Sequence, residues 1–171
     1  MENEEYEFWL SGPIEGVPDL LQPAAHALLQ SERELKKYTA DFPKELLWAK
    51  TAGRASVGFH MNHLTGVLDR MLTYAKGESL SDEQFTFLKQ EGTFNLNTEV
   101  IYLQEQFSAK VEEAIGYFKT VPENSLTEER TVGRKKLPTT VIGLLFHAAE
   151  HSQRHIGQLL VTVSILQADI S

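Results

Sequence analysis

The chain has 171 residues, 42% of them hydrophobic, and its 16 basic and 24 acidic side chains give a formal net charge of -8. This length fits one domain with a sizeable core. The sequence has no cysteine, which excludes disulfides, cysteine-ligated zinc, iron–sulfur clusters and a thiol nucleophile of its own. The acidic balance argues against nucleic acid as a partner. No apolar run approaches the roughly 20 residues that span a membrane, and the acidic start at Glu2 favours the cytoplasm.

The N-terminal segment carries an aromatic cluster formed by Tyr6, Phe8 and Trp9. Flexible tails are poor in aromatic residues. We therefore expect residues 1–17 to form an ordered lead-in that packs on a domain of residues 18–171.

Apolar residues recur at spacings of three and four along most of the remaining chain, the pattern of amphipathic helices. With the caps and stops around it, this pattern predicts four long helices and one short helix. They cover approximately residues 18–40, 56–75, 81–89, 97–120 and 139–166. Residues 121–138 are polar and highly charged, and we expect a long crossover or an active-site rim there. Without internal repeats or strand-like alternation, the fold class is all-α, a four-helix bundle with an extra short helix.

Five of the six histidines fall on two of the predicted helices. His60 and His63 lie on the second long helix, and His147, His151 and His155 lie on the last. Helical residues four apart are neighbours on one face, and an imidazole pair at this spacing can share a divalent cation with a third imidazole from a facing helix. We hypothesise a three-nitrogen metal site with one open position. The alternative is a set of histidines that are hydrogen-bonded in the core or line a pocket.

Two segments resemble motifs of the DinB/YfiT-like superfamily. Residues 55–64, followed by Asp69-Arg70, resemble its second-helix motif, in which a histidine followed by leucine is the first metal ligand. Residues 151–158 resemble its C-terminal motif of two histidines four apart followed by Gly-Gln. The resemblance covers about residues 6–166 and implies a four-helix bundle, often dimeric, with a divalent cation bound by three histidines.

By position in these motifs, the metal ligands would be His63, His151 and His155. His60 is the alternative to His63, since it lies three residues away and nearer the middle of the apolar face. Three imidazoles suit zinc, nickel, iron or copper, and we expect zinc or nickel. Ala55 replaces the usual Trp and Ser152 the usual Glu, departures that leave the ligand set intact but alter its surroundings.

Four residues are candidates to hold or surround the ligand histidines from outside. They are Asp69, Glu150, Gln158 and His147. The stripe of His147, His151 and His155 is about 12 Å long, too long for one cation, so we expect His147 in the pocket. Arg70 and Arg154 are candidates to meet an anionic substrate group, and the alternative for each charged residue is a solvated helix face.

A three-histidine cation with an open position supports two chemistries. It can lower the pKa of bound water to about 7 for hydrolysis, or keep a thiolate deprotonated for thiol transfer. The superfamily that the chain resembles includes transferases of bacterial low-molecular-weight thiols and metal-dependent hydrolases. We expect a metal-dependent enzyme acting on a small molecule, in which any thiol comes as a cosubstrate. The alternative is a non-catalytic binding protein with pocket histidines.

Overall fold

The computed structural model describes residues 6–168. This part of the chain contains five α-helices and one two-stranded antiparallel sheet. Their bounds are α1 Gln22–Tyr38, α2 Val57–Ala75, α3 Asp82–Gln90, α4 Val100–Phe118, β1 Glu129–Val132, β2 Leu137–Thr140 and α5 Val141–Ala168. Helices α1, α2, α4 and α5 form a four-helix bundle and α3 is the extra short helix, so the predicted all-α fold class is confirmed. In the described residues, no helix is both long and apolar enough to cross a bilayer.

The core lies where the apolar stripes of the four long helices meet. Helix α2 packs on both α4 and α5, and α1 packs on the same two helices from the other side. Each long helix contributes fully buried side chains, among them Leu28, Leu64, Phe107 and Leu145. Because burying one such side chain stabilises the fold by about 2 kcal/mol, these stripes fix which helix faces point inward. They thereby fix which polar side chains lie at the helix–helix seams.

Local hydrogen bonds explain where two helices begin. Ser56 accepts a hydrogen bond from the Phe59 backbone N–H at 3.2 Å, the N-cap that the sequence predicts for α2. Helix α4 begins at Val100 rather than after Asn97 or Thr98. The Asn95 side chain accepts a hydrogen bond from the Asn97 backbone at 3.0 Å and so holds these residues in a turn.

The expectation of no strand between α4 and α5 was wrong. Strands β1 and β2 form a hairpin in which Glu129 pairs with Thr140 and Val132 with Leu137. Strands of four residues are too short to give a clear alternation, which is why the pattern missed them. Arg130 Nε donates to the Ala75 carbonyl at 2.9 Å, about 18 Å along α2 from the predicted ligand His63. The hairpin therefore supports the far end of α2 and is not a rim of the histidine cluster.

The described part of the N-terminal segment lies along α1. The Arg33 guanidinium lies 4.6 Å from the centre of the Phe8 ring, and Arg33 also donates to the Tyr6 carbonyl at 3.0 Å. Tyr6 and Trp9 are exposed. Phe8 is thus the aromatic residue through which this segment contacts the bundle, and residues 1–5 lie outside the described residues.

Candidate metal centre

The histidines of α2 and α5 meet at the seam between these antiparallel helices. The Nε2 atoms of His63 and His151 lie 3.0 Å apart, and the Nδ1 atoms of His60 and His155 lie 2.9 Å apart. Residue numbers rise along one helix as they fall along the other, so each histidine of α2 has its own partner on α5. His60 is buried, while His63, His151 and His155 are half-buried at the edge of the seam.

Three of these imidazoles form a compact group of potential metal ligands. One ligand atom from each of His63, His151 and His155 lies within 4.8 Å of the others. The ring centres of His155 and its two neighbours are 4.5 Å apart. Such spacing lets three imidazoles bind one divalent cation. His60 is close to His155 but lies outside this group of three.

The protonation states of these histidines also suit a metal site. Burial, followed by the neighbouring His63, lowers the pKa of His151 to about 4 and that of His155 to about 3. The same two causes lower the pKa of His60 to about 4. These imidazoles are therefore neutral at pH 7, as a metal-binding imidazole must be.

His63 is held from outside by a buried ion pair. Its Nδ1 lies 2.7 Å from Glu91 Oε2, and the other carboxylate oxygen of Glu91 accepts from Arg70 Nη1 at 2.7 Å. Glu91 and Arg70 are both buried, so each charge depends on the other. When the single proton of the ring lies on Nδ1 and is donated to Glu91, His63 presents the Nε2 lone pair to the cluster. A carboxylate behind a ligand histidine is the arrangement found in many metal sites.

The facing nitrogens of His63 and His151 test whether a cation fits. Because His63 Nε2 carries a lone pair, the nitrogen that faces it at 3.0 Å must share a proton or a cation with it. His151 Nδ1 is buried and has no hydrogen-bond partner among the described residues. Without a cation, His151 Nε2 donates to His63 and its buried Nδ1 is left as an acceptor with no partner among the described residues. A cation bound by both Nε2 atoms takes the place of that shared proton, so the residues present fit a divalent cation.

Sequence reasoning missed Glu91, which ends α3 and lies 28 residues from His63. A signal that could have indicated a close approach there is Gly66, a glycine inside an amphipathic helix. A Cβ atom at position 66 would lie 2.3 Å from Glu91 Oε1 and 2.8 Å from Arg70 Nη1. The absence of a side chain at Gly66 makes the space that the ion pair fills.

The structure places Asp69 away from the ligand nitrogens, whereas Glu150 and His147 lie beside His151. Asp69 accepts from Lys110 at 2.7 Å and from Gln84 at 2.6 Å, on the α3 and α4 side of α2. Glu150 lies 2.8 Å from His147 Nδ1 and also accepts from Arg154. His147, Glu150 and His151 have ligand atoms close enough for a second group, but the Arg154 guanidinium already neutralises the carboxylate.

The two candidate arginines differ in position. Arg70 was a candidate to meet substrate or to lie on a solvated helix face, but it is buried against Glu91 because the carboxylate needs a counter-charge. Arg154 is exposed and lines a groove of about 610 Å³ together with Arg54, Gln158 and His60. His60 separates this groove from His155. The groove therefore lies next to the three-histidine group, with the His60 imidazole between them.

The fold and the site together define a four-helix bundle with a candidate histidine metal centre between its second and last long helices. The family model of the DinB superfamily matches residues 27–159, and the chain belongs to this superfamily. The matched segment includes His60, His63, His147, His151 and His155. A search of the curated proteins finds no significant match.

Proposed function

We propose that the protein is a metal-dependent enzyme in which His63, His151 and His155 hold one divalent cation, zinc or nickel. The observation that carries the proposal is the group of three imidazoles whose ligand atoms lie within 4.8 Å of one another. The low pKa values of His151 and His155, about 4 and about 3, support it because they keep both imidazoles ready to bind at neutral pH. Three neutral ligands leave the charge of the cation uncompensated and one coordination position free.

Two features support catalysis over a purely structural role. The three histidines lie at the edge of a helix seam, where a small molecule can reach them, and the neighbouring groove carries the guanidinium groups of Arg54 and Arg154. When bound, a cation in this setting supplies Lewis acidity and can activate water or a thiol. The residues of the groove would bind and orient an anionic substrate group.

Of the two reactions, we favour transfer of a low-molecular-weight thiol over hydrolysis. Hydrolysis commonly uses a carboxylate near the cation as a general base, and the described carboxylates near the cluster are already engaged. Glu91 is bonded to His63 and Arg70, and Glu150 is bonded to His147 and Arg154. A thiol that bears a carboxylate would match Arg54 of the groove, and the chain has no cysteine to provide a thiol itself.

Elemental analysis tests the proposal on protein purified without a metal-affinity column. We expect about one equivalent of zinc or nickel in the unsubstituted protein and loss of it in His151→Ala. His26→Ala is the matched control, since His26 bonds to the Gly12 carbonyl and belongs to neither group of potential metal ligands. Full retention of metal by His151→Ala contradicts the ligand assignment. A screen of thiols with electrophiles, beside ester and amide substrates, then separates transfer from hydrolysis.

The alternative function is that of a non-catalytic binding protein, and the metal content and melting temperature of the same sample test it. Such a bundle would contain no stoichiometric metal, and added zinc or nickel would not raise its melting temperature. A cation that binds only the folded state must raise it.

A further inference from the structure

His60 is a fourth imidazole at the site and has no role in the proposed ligand set. It is buried, with 3% of its surface exposed, and its Nδ1 lies 2.9 Å from His155 Nδ1. We propose that His60 is a positioning residue that accepts a hydrogen bond from His155 and thereby directs His155 Nε2 towards the cation. The inference rests on the proposed cation site and adds to it a residue that tunes the site from outside.

The tautomers follow from the contact between the two Nδ1 atoms. Two ring nitrogens at 2.9 Å must share one proton. Since Nδ1 of His155 faces His60, the nitrogen of His155 left for a cation is Nε2. A neutral imidazole that binds through Nε2 carries its proton on Nδ1. His155 is therefore the donor, His60 Nδ1 is the acceptor, and the proton of His60 resides on its own Nε2.

His60 and Glu91 play the same part for two different proposed ligands: each accepts a hydrogen bond from the Nδ1 atom of a histidine. Glu91 accepts from His63 Nδ1 at 2.7 Å, and His60 accepts from His155 Nδ1 at 2.9 Å. Glu91 brings a negative charge that Arg70 balances, whereas His60 is a neutral acceptor. Support from His60 therefore orients a ligand without adding negative charge that would reduce the Lewis acidity of the cation.

The packing around His60 fixes its ring in place. The Phe59 ring meets it edge-on, with ring centres 5.7 Å apart and an angle of 72° between the planes. On the other side, His60 forms part of the wall of the groove that contains Arg54 and Arg154. A ring held in this way is suited to positioning His155, and it links the groove to the ligand by a single hydrogen bond.

Three substitutions of His60 test whether zinc binding depends on a hydrogen-bond acceptor at the place of its Nδ1 atom. In His60→Asn, the amide oxygen takes the place of Nδ1, whereas in His60→Gln it lies further out, near Nε2. His60→Leu removes the acceptor and leaves an apolar group. We expect His60→Asn to keep most of the zinc affinity and the other two variants to lose about 10–100-fold, measured by competition with a chromophoric chelator. His26→Asn is the control and should bind as the unsubstituted protein does.

A second readout reports the hydrogen bond itself. In zinc-loaded protein labelled with ¹⁵N-histidine, NMR should show His155 protonated at Nδ1 and protected from exchange, and His60 protonated at Nε2. His60→Leu should bind zinc more weakly and lose the protection of His155, while its metal-free melting temperature stays close to that of His60→Asn.

The outcomes distinguish this inference from the proposed function. If the unsubstituted protein binds zinc and His60→Gln and His60→Leu bind it equally well, the positioning role is refuted and the cation site stands. Equal loss in His60→Asn and His60→Leu would instead make His60 a ligand and would also overturn the inference. If the unsubstituted protein binds neither zinc nor nickel, the proposed function and the inference fall together.

Discussion

The Nε2 atoms of His63 and His151 face each other at 3.0 Å across the seam between α2 and α5. Glu91 accepts a hydrogen bond from His63 Nδ1, so the lone pair on His63 Nε2 points at His151. The buried Nδ1 of His151 has no partner in the described residues. A cation bound by the two Nε2 atoms can take the place of the proton that they share, and this relationship underlies the predictions below.

Replacing Glu91 should weaken both metal binding and the fold. In Glu91→Gln, His63 loses a charged acceptor, and we expect zinc affinity to fall about 10–100-fold. The buried Arg70 also loses its counter-charge, which should cost about 3–5 kcal/mol in free energy of unfolding. Chelator competition and urea denaturation measure the two effects. Glu112→Gln, an exposed change on α4, is the control and should alter neither.

A double variant separates these two effects. Adding Arg70→Met to Glu91→Gln removes the uncompensated charge and should recover part of the lost stability without restoring zinc affinity. Recovery of both together would mean that Glu91 acts on metal binding only through the fold, and the role assigned to it at His63 would be wrong.

Gly66→Ala should destabilise the protein although alanine favours helices. The new Cβ would lie 2.3 Å from Glu91 Oε1 and 2.8 Å from a Phe87 ring carbon, so the ion pair must shift. We expect a loss of about 1–3 kcal/mol in free energy of unfolding. Gly116→Ala on α4 is the matched control, since no described atom outside its own helix turn and chain neighbours lies within 4 Å of the added Cβ. It should stabilise the protein by about 0.5–1 kcal/mol, and equal effects of the two changes would refute the packing argument.

His147 should be dispensable for metal binding. It is half-exposed, its Nδ1 is 2.8 Å from Glu150, and Arg154 also binds that carboxylate. We expect His147→Ala to bind zinc within about twofold of the unsubstituted protein with one equivalent per chain, and His151→Ala to bind none tightly. Isothermal titration calorimetry gives both numbers. A second equivalent that disappears in His147→Ala would instead show that His147, Glu150 and His151 form a site of their own.

The metal-free protein should lose stability as the pH falls from about 6.5 towards 4. Burial, followed by the neighbouring His63, lowers the pKa of His60 to about 4 and that of His155 to about 3, whereas an unfolded imidazole titrates near 6.5. In this range the unfolded chain binds more protons than the folded chain, so the free energy of unfolding decreases with decreasing pH. The free energy of unfolding reaches its full value above about pH 6.5, the pKa of a histidine in the unfolded chain.

Urea denaturation of the chelator-treated protein at pH 7.5 and 5.5 measures this effect. A double variant, His60→Leu with His155→Leu, removes two of the buried imidazoles and should show a smaller decrease between these pH values. A decrease as large as that of the unsubstituted protein would mean that other groups cause it.

Much of the fold could be predicted from periodicity alone. The spacing of apolar residues gave the long helices, and Ser56 was found as a cap because its hydroxyl lies directly before an apolar run. The hairpin between α4 and α5 could not be found, since each strand has four residues and its pairing depends on contacts with the end of α2. Helix α4 begins later than predicted because the Asn95 side chain holds the preceding residues in a turn, and the N-cap pattern does not reveal such a turn.

Some residues of the candidate site could likewise be predicted from the sequence, and others could not. The meeting of histidines from α2 and α5 was within reach of helical spacing and bundle packing, whereas His63 was favoured over His60 through the family resemblance. Glu91 was not within reach, because it follows α3 directly and reaches His63 only through tertiary packing. The charge of Arg70 gives no sign of burial, so substrate binding and a solvated helix face were the interpretations open to the sequence, yet its partner is the buried Glu91.

Anomalous X-ray diffraction from crystals of the zinc-loaded protein, at the zinc absorption edge, tests the central claim most directly. The account predicts one strong peak per chain, located between the ring nitrogens of His63, His151 and His155, and its disappearance in His151→Ala crystals grown under the same conditions. A zinc-loaded protein with no peak at this cluster, or with the peak unchanged in His151→Ala, would contradict it.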